Sequence, residues 1–228
     1  MLPLIIVALL AARFPGDGMP LQARRLVTGP SSHVELVNTG DRAVTAWSIA
    51  ISTKNASGGI HRVIQTADAY LADVTRDLPR SPQHLDWIRP GAARELPLDP
   101  QPADATVQVF AVVLEDGTAL GDPQVLSSIF DKRAGERDSL GRVVSAFKET
   151  LASTRGKAAL GELKTRFARA AGANEAAPER SAREAVDEFL RQAAQNEDQA
   201  DQSLRQYAAF VERQYDLAVK HSKRRTAP

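Results

Sequence analysis

The chain has 228 residues, of which 43% are hydrophobic and 25% charged, an ordinary balance for a globular protein. Its 29 basic and 28 acidic residues nearly cancel, so no overall charge directs it to nucleic acid or to a membrane. The absence of cysteine excludes disulfides, thiolate metal sites and cysteine nucleophiles. The 5% aromatic content disfavours recognition of nucleic acids or sugars by stacking.

The N-terminus begins with an uncharged apolar run, MLPLIIVALLAA, which fits the core of a signal peptide and is too short to cross a bilayer. Gly16 and Gly18 are the best small-residue pair for cleavage, so residues 1–18 are predicted to be a signal peptide and Met19 the mature start. The expected location is therefore periplasmic or extracellular, with a soluble protein after cleavage. A buried N-terminal strand is the alternative, since Leu4 to Leu10 also has strand composition.

Residues 19–121 alternate between apolar and polar positions, with turn residues between the runs, which predicts short antiparallel strands. The run Thr106 to Glu115 is apolar on both faces and is predicted to be a central strand, followed by a hairpin turn at Asp116 and Gly117. Short strands without intervening helices over about 100 residues predict an immunoglobulin-like antiparallel β-sandwich, with a small barrel as the alternative.

A long loop is predicted at residues 72–91, which contain three prolines. Trp87 and Ile88 are its expected anchors to the core. Trp47 and Trp87 could line a ligand groove, but a sandwich core takes its tryptophans first, so packing is their expected role.

The chain changes from strands to helices at Asp122. Asp122 is a preferred N-cap residue, and Pro123 suits the first helical position. Residues 122–228 are therefore predicted to form a helical hairpin or small bundle, with helices at about 122–155, 157–171 and 178–223. In the first helix, one seam has the 4-3 spacing of a coiled coil. The seam consists of Leu126, Phe130, Arg133, Arg137, Leu140, Val144, Phe147 and Leu151.

The helical half separates its charges along the sequence. Residues 132–169 contain ten basic and four acidic groups, whereas residues 175–216 contain ten acids and five arginines. This asymmetry favours antiparallel pairing of the two regions within the chain. The alternative is that the basic face meets an external anionic partner.

Arg133 and Arg137 are unusual in the seam, because a cation at a buried position must be paired or must contact a ligand. The first expectation is pairing with acids of the third helical region. The second is packing over the edge of the β-domain, and the third is an anionic ligand. The acids considered for pairing are Asp187, Glu188, Asp198 and Asp201.

The C-terminal run Lys220 to Arg225 is basic, so it could contact anionic lipid or nucleic acid. Together with the seam arginines and one tryptophan, it completes the set of candidate interaction residues. These residues are Arg133, Arg137, Trp87, Lys223, Arg224 and Arg225.

Catalytic chemistry has little support in the sequence. It contains no nucleophile elbow, phosphate-binding glycine loop or metal-ligand spacing, so no catalytic residue, metal or cofactor is assigned. One loop-rich stretch nevertheless supplies the alternative of a hydrolase or metal-dependent enzyme with a site in loops 61–86. The residues concerned are His61, His84, Asp68, Asp73, Asp77 and Asp86.

Two segments carry a resemblance to a known group of proteins. Residues 37–47 (VNTGDRAVTAW) resemble the opening strands of immunoglobulin-like domains in uncharacterised exported bacterial proteins. Residues 111–122 (AVVLEDGTALGD), followed by IFDKRAGERDSL, are similar to a strand-to-helix boundary in that group. The likeness covers residues 34–152 and implies an exported β-sandwich with a helical extension, without an associated activity.

These observations predict a non-enzymatic exported binding or scaffold protein. The sandwich would present a protein-interaction surface, and the helices would act as a spacer or oligomerisation arm. The expected partner is another protein, or a second copy bound through the helices. Nucleic acid is not expected. An adaptor that binds anionic surfaces, such as a membrane, through its basic helical residues is a further alternative.

Overall fold

The computed structural model describes residues 18–28, 31–54, 57–75, 86–98, 105–170 and 176–226. Over these ranges the chain is α+β, with two antiparallel sheets before Asp122 and helices after it. The signal peptide predicted at 1–18 lies outside these ranges except for Gly18. The strands are β1 (Leu21–Thr28), β2 (Ser31–Asn38), β3 (Val44–Lys54), β4 (Ile60–Asp68), β5 (Ala93–Leu98), β6 (Thr106–Leu114), β7 (Thr118–Gly121) and β8 (Arg225–Thr226). The helices are α1 (Ala72–Thr75), α2 (Pro123–Ser153), α3 (Gly156–Ala170), α4 (Ala177–Ala193) and α5 (Glu197–His221).

The strands form two sheets that pack face to face. One sheet has the order β1-β2-β5, and the other has the order β4-β3-β6-β7-β8, in which only the β7–β8 pair is parallel. Alternate residues of both sheets meet in one core, which confirms the expectation that Trp47 is buried. The core includes Leu21, Val34, Leu36, Trp47, Ile49, Ile51, Val112 and Leu114. The described strands do not close on themselves, so the small-barrel alternative is wrong.

Local chemistry sets the passage from sheet to helix as predicted. Gly117 has φ 87° in the tight turn between β6 and β7, a backbone conformation that favours glycine. The carboxylate of Asp122 accepts hydrogen bonds from the backbone N–H groups of Gln124 and Val125, and Pro123 opens α2. Two predictions are thereby confirmed: the hairpin turn and the start of α2.

Helix α2 connects the sandwich with a bundle formed by α2 to α5. Its first turns pack Leu126, Ile129 and Phe130 on the outer face of the five-stranded sheet. Its later turns enter a second core, where Phe147 stacks edge-on against Phe167 of α3. The apolar seam of α2 is therefore buried against the other helices of the same chain. Among the described residues, no helix is both long and apolar enough to cross a membrane.

The third helical segment differs from its prediction. The continuous helix expected over residues 178–223 is two helices, because α4 ends at Ala193 and α5 begins at Glu197. The Asn196 side chain accepts a hydrogen bond from the N–H of Gln199 and caps α5. The polar run that begins at Gln195 therefore contains a turn and a helix start, since Asn competes with the helical backbone and favours a cap.

Ion pairs join the basic and acidic helical regions, as the charge asymmetry predicted. Arg142 of α2 binds Glu179 of α4 with an N–O distance of 2.6 Å. Lys164 of α3 lies 3.0 Å from Asp187 of α4. These pairs are partly exposed, so each contributes only about 0–1 kcal/mol and serves mainly to orient the helices.

Candidate functional site

The outer strand of the five-stranded sheet, β4, is an open edge within the part of the chain that the structure describes. It pairs with β3 along its whole length, from Ala46 opposite Asp68 to Lys54 opposite Ile60. No described strand pairs with its other side, and residues 60–66 are all exposed. We call this strand, with its free backbone side, the β4 edge.

Large apolar side chains are exposed on the β4 edge. Ile60 is 71% exposed, Val63 42% and Ile64 53%, and no other large apolar side chain in the described ranges is classed as exposed. Ile60 and Ile64 share a face with Arg62 because strand residues alternate, whereas Val63 points to the opposite face. Both faces of the strand thus offer apolar surface beside an unpaired backbone.

The usual protection of an edge strand is nearly absent. Natural edge strands are kept short, interrupted by proline or bulges, or charged. The β4 strand has nine residues and no proline. Arg62 is its one formal charge before Asp68, and the Arg62 guanidinium lies over the ring of Phe110, 5.4 Å from the centroid. The strand therefore lacks most of the features that prevent an edge strand from pairing with another chain.

The other edge of the same sheet is covered. The chain returns after α5, and β8 pairs in parallel with β7, placing Thr118 opposite Arg225. The N–H of Arg225 donates to the carbonyl of Gly117 at 2.9 Å. The candidate residues Lys223, Arg224 and Arg225 thus lie in a segment that closes one edge of the sheet through its backbone.

Arg133 is buried where the sandwich meets the bundle. Its side chain has no exposed surface, and it forms a two-pronged ion pair with Asp68 at the end of β4, with N–O distances of 2.9 and 2.7 Å. It also donates to the carbonyl of His221 at 3.1 Å and to the Thr45 hydroxyl at 3.3 Å. Its guanidinium lies 4.9 Å from the centroid of the Tyr70 ring.

The pairing first expected for Arg133 and Arg137, with acids of the third helical region, is wrong for both, because Arg133 pairs with Asp68 and Arg137 with Asp138. For Arg133 the structure agrees with the second expectation, packing against the β-domain. The helical spacing of the sequence identified Arg133 as a buried cation. Its partner Asp68 lies 65 residues away in the sequence, and helical periodicity gives no information on so distant a contact. Four of the five guanidinium N–H donors bond groups of its own chain, so an anionic ligand is not needed to explain its burial.

His221 completes this junction and was not among the predicted site residues. It is 1% exposed, and neither ring nitrogen has a hydrogen-bond partner among the described residues. Burial lowers the pKa of His221 to about 4; Arg133 and Lys220 act in the same direction, whereas Asp68 and Asp73 oppose them. The imidazole is therefore neutral at pH 7.

Aromatic side chains surround His221. Trp87 meets its ring edge-on at 5.8 Å, and Tyr70 lies at 6.2 Å. The indole N–H of Trp87 donates to the carbonyl of Ala69 at 2.8 Å. Ile88 pairs with Val44 through its backbone, so the predicted anchoring of this loop at Trp87 and Ile88 is confirmed. Trp87 packs at the junction between the two halves.

Tyr70 ties the same junction to α2. Its hydroxyl donates to Glu136 at 2.6 Å, and its ring belongs to the core of the bundle. Burial, followed by this hydrogen bond, raises the pKa of Tyr70 well above its usual range. The groups around Arg133 thus connect the sandwich with the helical bundle, which is a structural role.

Arg137 lies in a shallow cleft on the bundle and pairs with its neighbour Asp138 at 2.7 Å. The cleft has a volume of about 650 Å³, and three further arginines line it. Arg142 and Arg166 already have carboxylates within ion-pair distance. This neutralisation weakens the alternative of an anionic-surface adaptor. The arginines of the cleft are Arg137, Arg142, Arg166 and Arg169.

His61, the histidine of the enzymatic alternative that the structure describes, lies away from Asp68. His61 lies near one end of β4 and Asp68 at the other, about 23 Å apart at 3.3 Å per residue. Asp68 is committed to Arg133. His84 and Asp77 lie outside the described residues. No group of three or more potential metal ligands occurs in the described ranges.

The sequence pattern of residues 19–121 predicts short strands but does not single out the β4 edge. Apolar residues at Ile60, Val63 and Ile64 break strict alternation, which is the one available signal, and it fits a buried strand equally well. Comparison with protein-family models, with curated proteins and with solved structures finds no match.

Proposed function

We propose that the chain is an exported, non-enzymatic binding protein whose β-sandwich binds another protein through the β4 edge. The observation that carries this proposal is the coincidence of an open backbone edge with exposed Ile60, Val63 and Ile64. A strand added to β4 would pair its backbone groups and cover these side chains. Burial of a fully exposed large apolar side chain contributes about 1.5–3 kcal/mol, and these side chains, 42–71% exposed, would gain part of it.

An immunoglobulin-like identity of the sandwich is part of the same proposal. Seven strands lie in two facing antiparallel sheets with the orders β1-β2-β5 and β4-β3-β6-β7, apart from the added β8. The fourth strand pairs with the third, as strand C′ does in variable-type domains, and the first, second and fifth strands take the places of A, B and E. This order supports the proposal.

The helical half has a supporting role in this proposal. The bundle has its own hydrophobic core and is joined to the sandwich by the ion pair between Arg133 and Asp68. It would therefore act as a rigid spacer that carries the β4 edge. Self-association through the helices is the competing role. Export is proposed from the apolar N-terminal run, and N-terminal sequencing of the protein recovered from the periplasm or medium tests it, with Met19 expected first.

Affinity capture at native expression level tests the binding proposal. The wild type is compared with Ile60→Lys/Ile64→Lys, which charges the β4 edge, and with Arg24→Glu, an exposed change on the outer strand of the other sheet. A protein partner should be retained by the wild type and Arg24→Glu and lost by the double variant. Capture of the same proteins by all three chains, or of none by any, would contradict the proposal.

A further inference from the structure

The charges around the β4 edge are of one sign. From Ile51 to Ala67 the sequence contains Lys54 and Arg62 as its formal charges and no acid. Lys54 lies opposite Ile60 on the neighbouring strand and shares a face with Arg62. The first acid, Asp68, is 6% exposed and is occupied by Arg133.

These cations are not neutralised within the part of the chain that the structure describes. Neither Lys54 nor Arg62 has a carboxylate within ion-pair distance there, and the contact of Arg62 is with the ring of Phe110. On the outer face of β4 the order is apolar, cationic, apolar, in the sequence Ile60, Arg62, Ile64. A complementary strand would present apolar, acidic and apolar residues at alternate positions.

We propose, resting on the proposed function, that the β4 edge binds an extended acidic segment of a partner protein as an added strand. In this segment a carboxylate stands opposite Arg62, whose exposed side chain would turn from the Phe110 ring of β6 to meet it. Apolar residues two positions away on each side cover Ile60 and Ile64. Backbone pairing provides the affinity, and the carboxylate provides the choice of partner.

Two registers for a second copy of this chain bring its arginines close together. An antiparallel two-fold pair centred on Arg62 places the two guanidinium groups directly opposite each other. Centring on Val63 makes them diagonal neighbours, about 7–8 Å apart. Like charges in these positions disfavour pairing, whereas a partner carboxylate relieves the unbalanced charge.

Two capped peptides test the inference on the full-length protein by amide chemical shifts. One is TVTETVT, in which threonine and valine favour an extended chain, and the other is its lysine counterpart TVTKTVT. The glutamate peptide should shift the amides of residues 60–66 and bind at least about threefold more tightly than the lysine peptide. The charge reversal Arg62→Glu should invert this preference, whereas Arg24→Glu should leave it unchanged. Methylation of the peptide's backbone nitrogens on its pairing side should abolish binding.

Equal binding of the two peptides, or shifts outside β4, would overturn the inference. Dimerisation of the wild type in sedimentation equilibrium, lost in Ile60→Lys/Ile64→Lys, would also overturn it and assign the edge to a second copy. If the peptides show no charge preference while affinity capture still depends on Ile60 and Ile64, the inference fails and the proposed function stands. Failure of the capture experiment removes the proposed function itself.

Discussion

The buried pair between Arg133 and Asp68 should contribute strongly to stability, because it joins α2 to the end of β4. The variant Arg133→Met retains the length of the side chain and removes its charge. Asp68, 6% exposed, is then left without its cation. Loss of one partner of a buried ion pair costs about 3–5 kcal/mol. At about 2–4 °C per kcal/mol for a chain of this size, Tm should fall by about 6–20 °C.

The matched control is Arg137→Met, one helical turn further along α2. Arg137 pairs with Asp138 at a partly exposed position, and its loss should cost no more than about 1 kcal/mol. Both variants are compared with the wild type by urea unfolding, followed by circular dichroism. The double variant Arg133→Met/Asp68→Asn should lose less than the sum of its single variants, because the second change removes the isolated charge that the first one leaves.

Two results would refute this reasoning. One is a loss for Arg133→Met no larger than that for Arg137→Met. The other is strict additivity in the double variant, which would mean that Arg133 and Asp68 do not act on each other. A rise in Tm for Arg133→Met would indicate that the arginine is retained for specificity or binding at the cost of stability.

Three further predictions concern the junction and the bundle. Because the pKa of His221 is lowered to about 4 from an ordinary 6.5, the unfolded chain binds more protons between these values, so stability should rise with pH across that window by about 3 kcal/mol. Urea unfolding from pH 4 to 7 measures this rise, and His221→Phe should reduce it. Gly156→Ala should lower Tm, because the backbone φ of residue 156 is +56° and the added Cβ would lie 2.3 Å from Oε1 of Glu197. Ala158→Gly on the same helix is the comparison variant. Asp201→Ala should cost about 1 kcal/mol in chemical unfolding, since the Asp201 carboxylate caps the N–H of Gly156, and an equal loss in Asp198→Ala would argue against the cap.

Local chemistry made parts of the fold predictable from the sequence. The turn at Gly117 and the cap at Asp122 depend on residues within three positions of each other, so short-range patterns are sufficient. The bundle was predictable in outline because its apolar seam and its opposite charges are sequence properties. The break near Asn196 was harder to predict, because a polar run is compatible both with an exposed helix and with a turn.

The candidate site depends on topology, and the sequence does not provide topology directly. Whether β4 lies at an edge depends on how the other strands are ordered, and the order of strands in a sheet is not encoded in their local patterns. The partner of Arg133 is likewise fixed by the way α2 crosses the sheet. His221 gave no signal of its own, because a histidine in a basic C-terminal run is usually exposed; it is buried here because α5 ends against Trp87 and Tyr70.

Photo-crosslinking in the producing cells tests the central claim most directly. A photoreactive phenylalanine analogue is placed at position 64 on the β4 edge and, in a second protein, at position 24 on the edge of the other sheet. Binding at the β4 edge predicts a discrete protein adduct from position 64, suppressed by Arg62→Glu, and none from position 24. The absence of an adduct from position 64, or the same adduct from both positions, would contradict the claim that this edge is the binding surface.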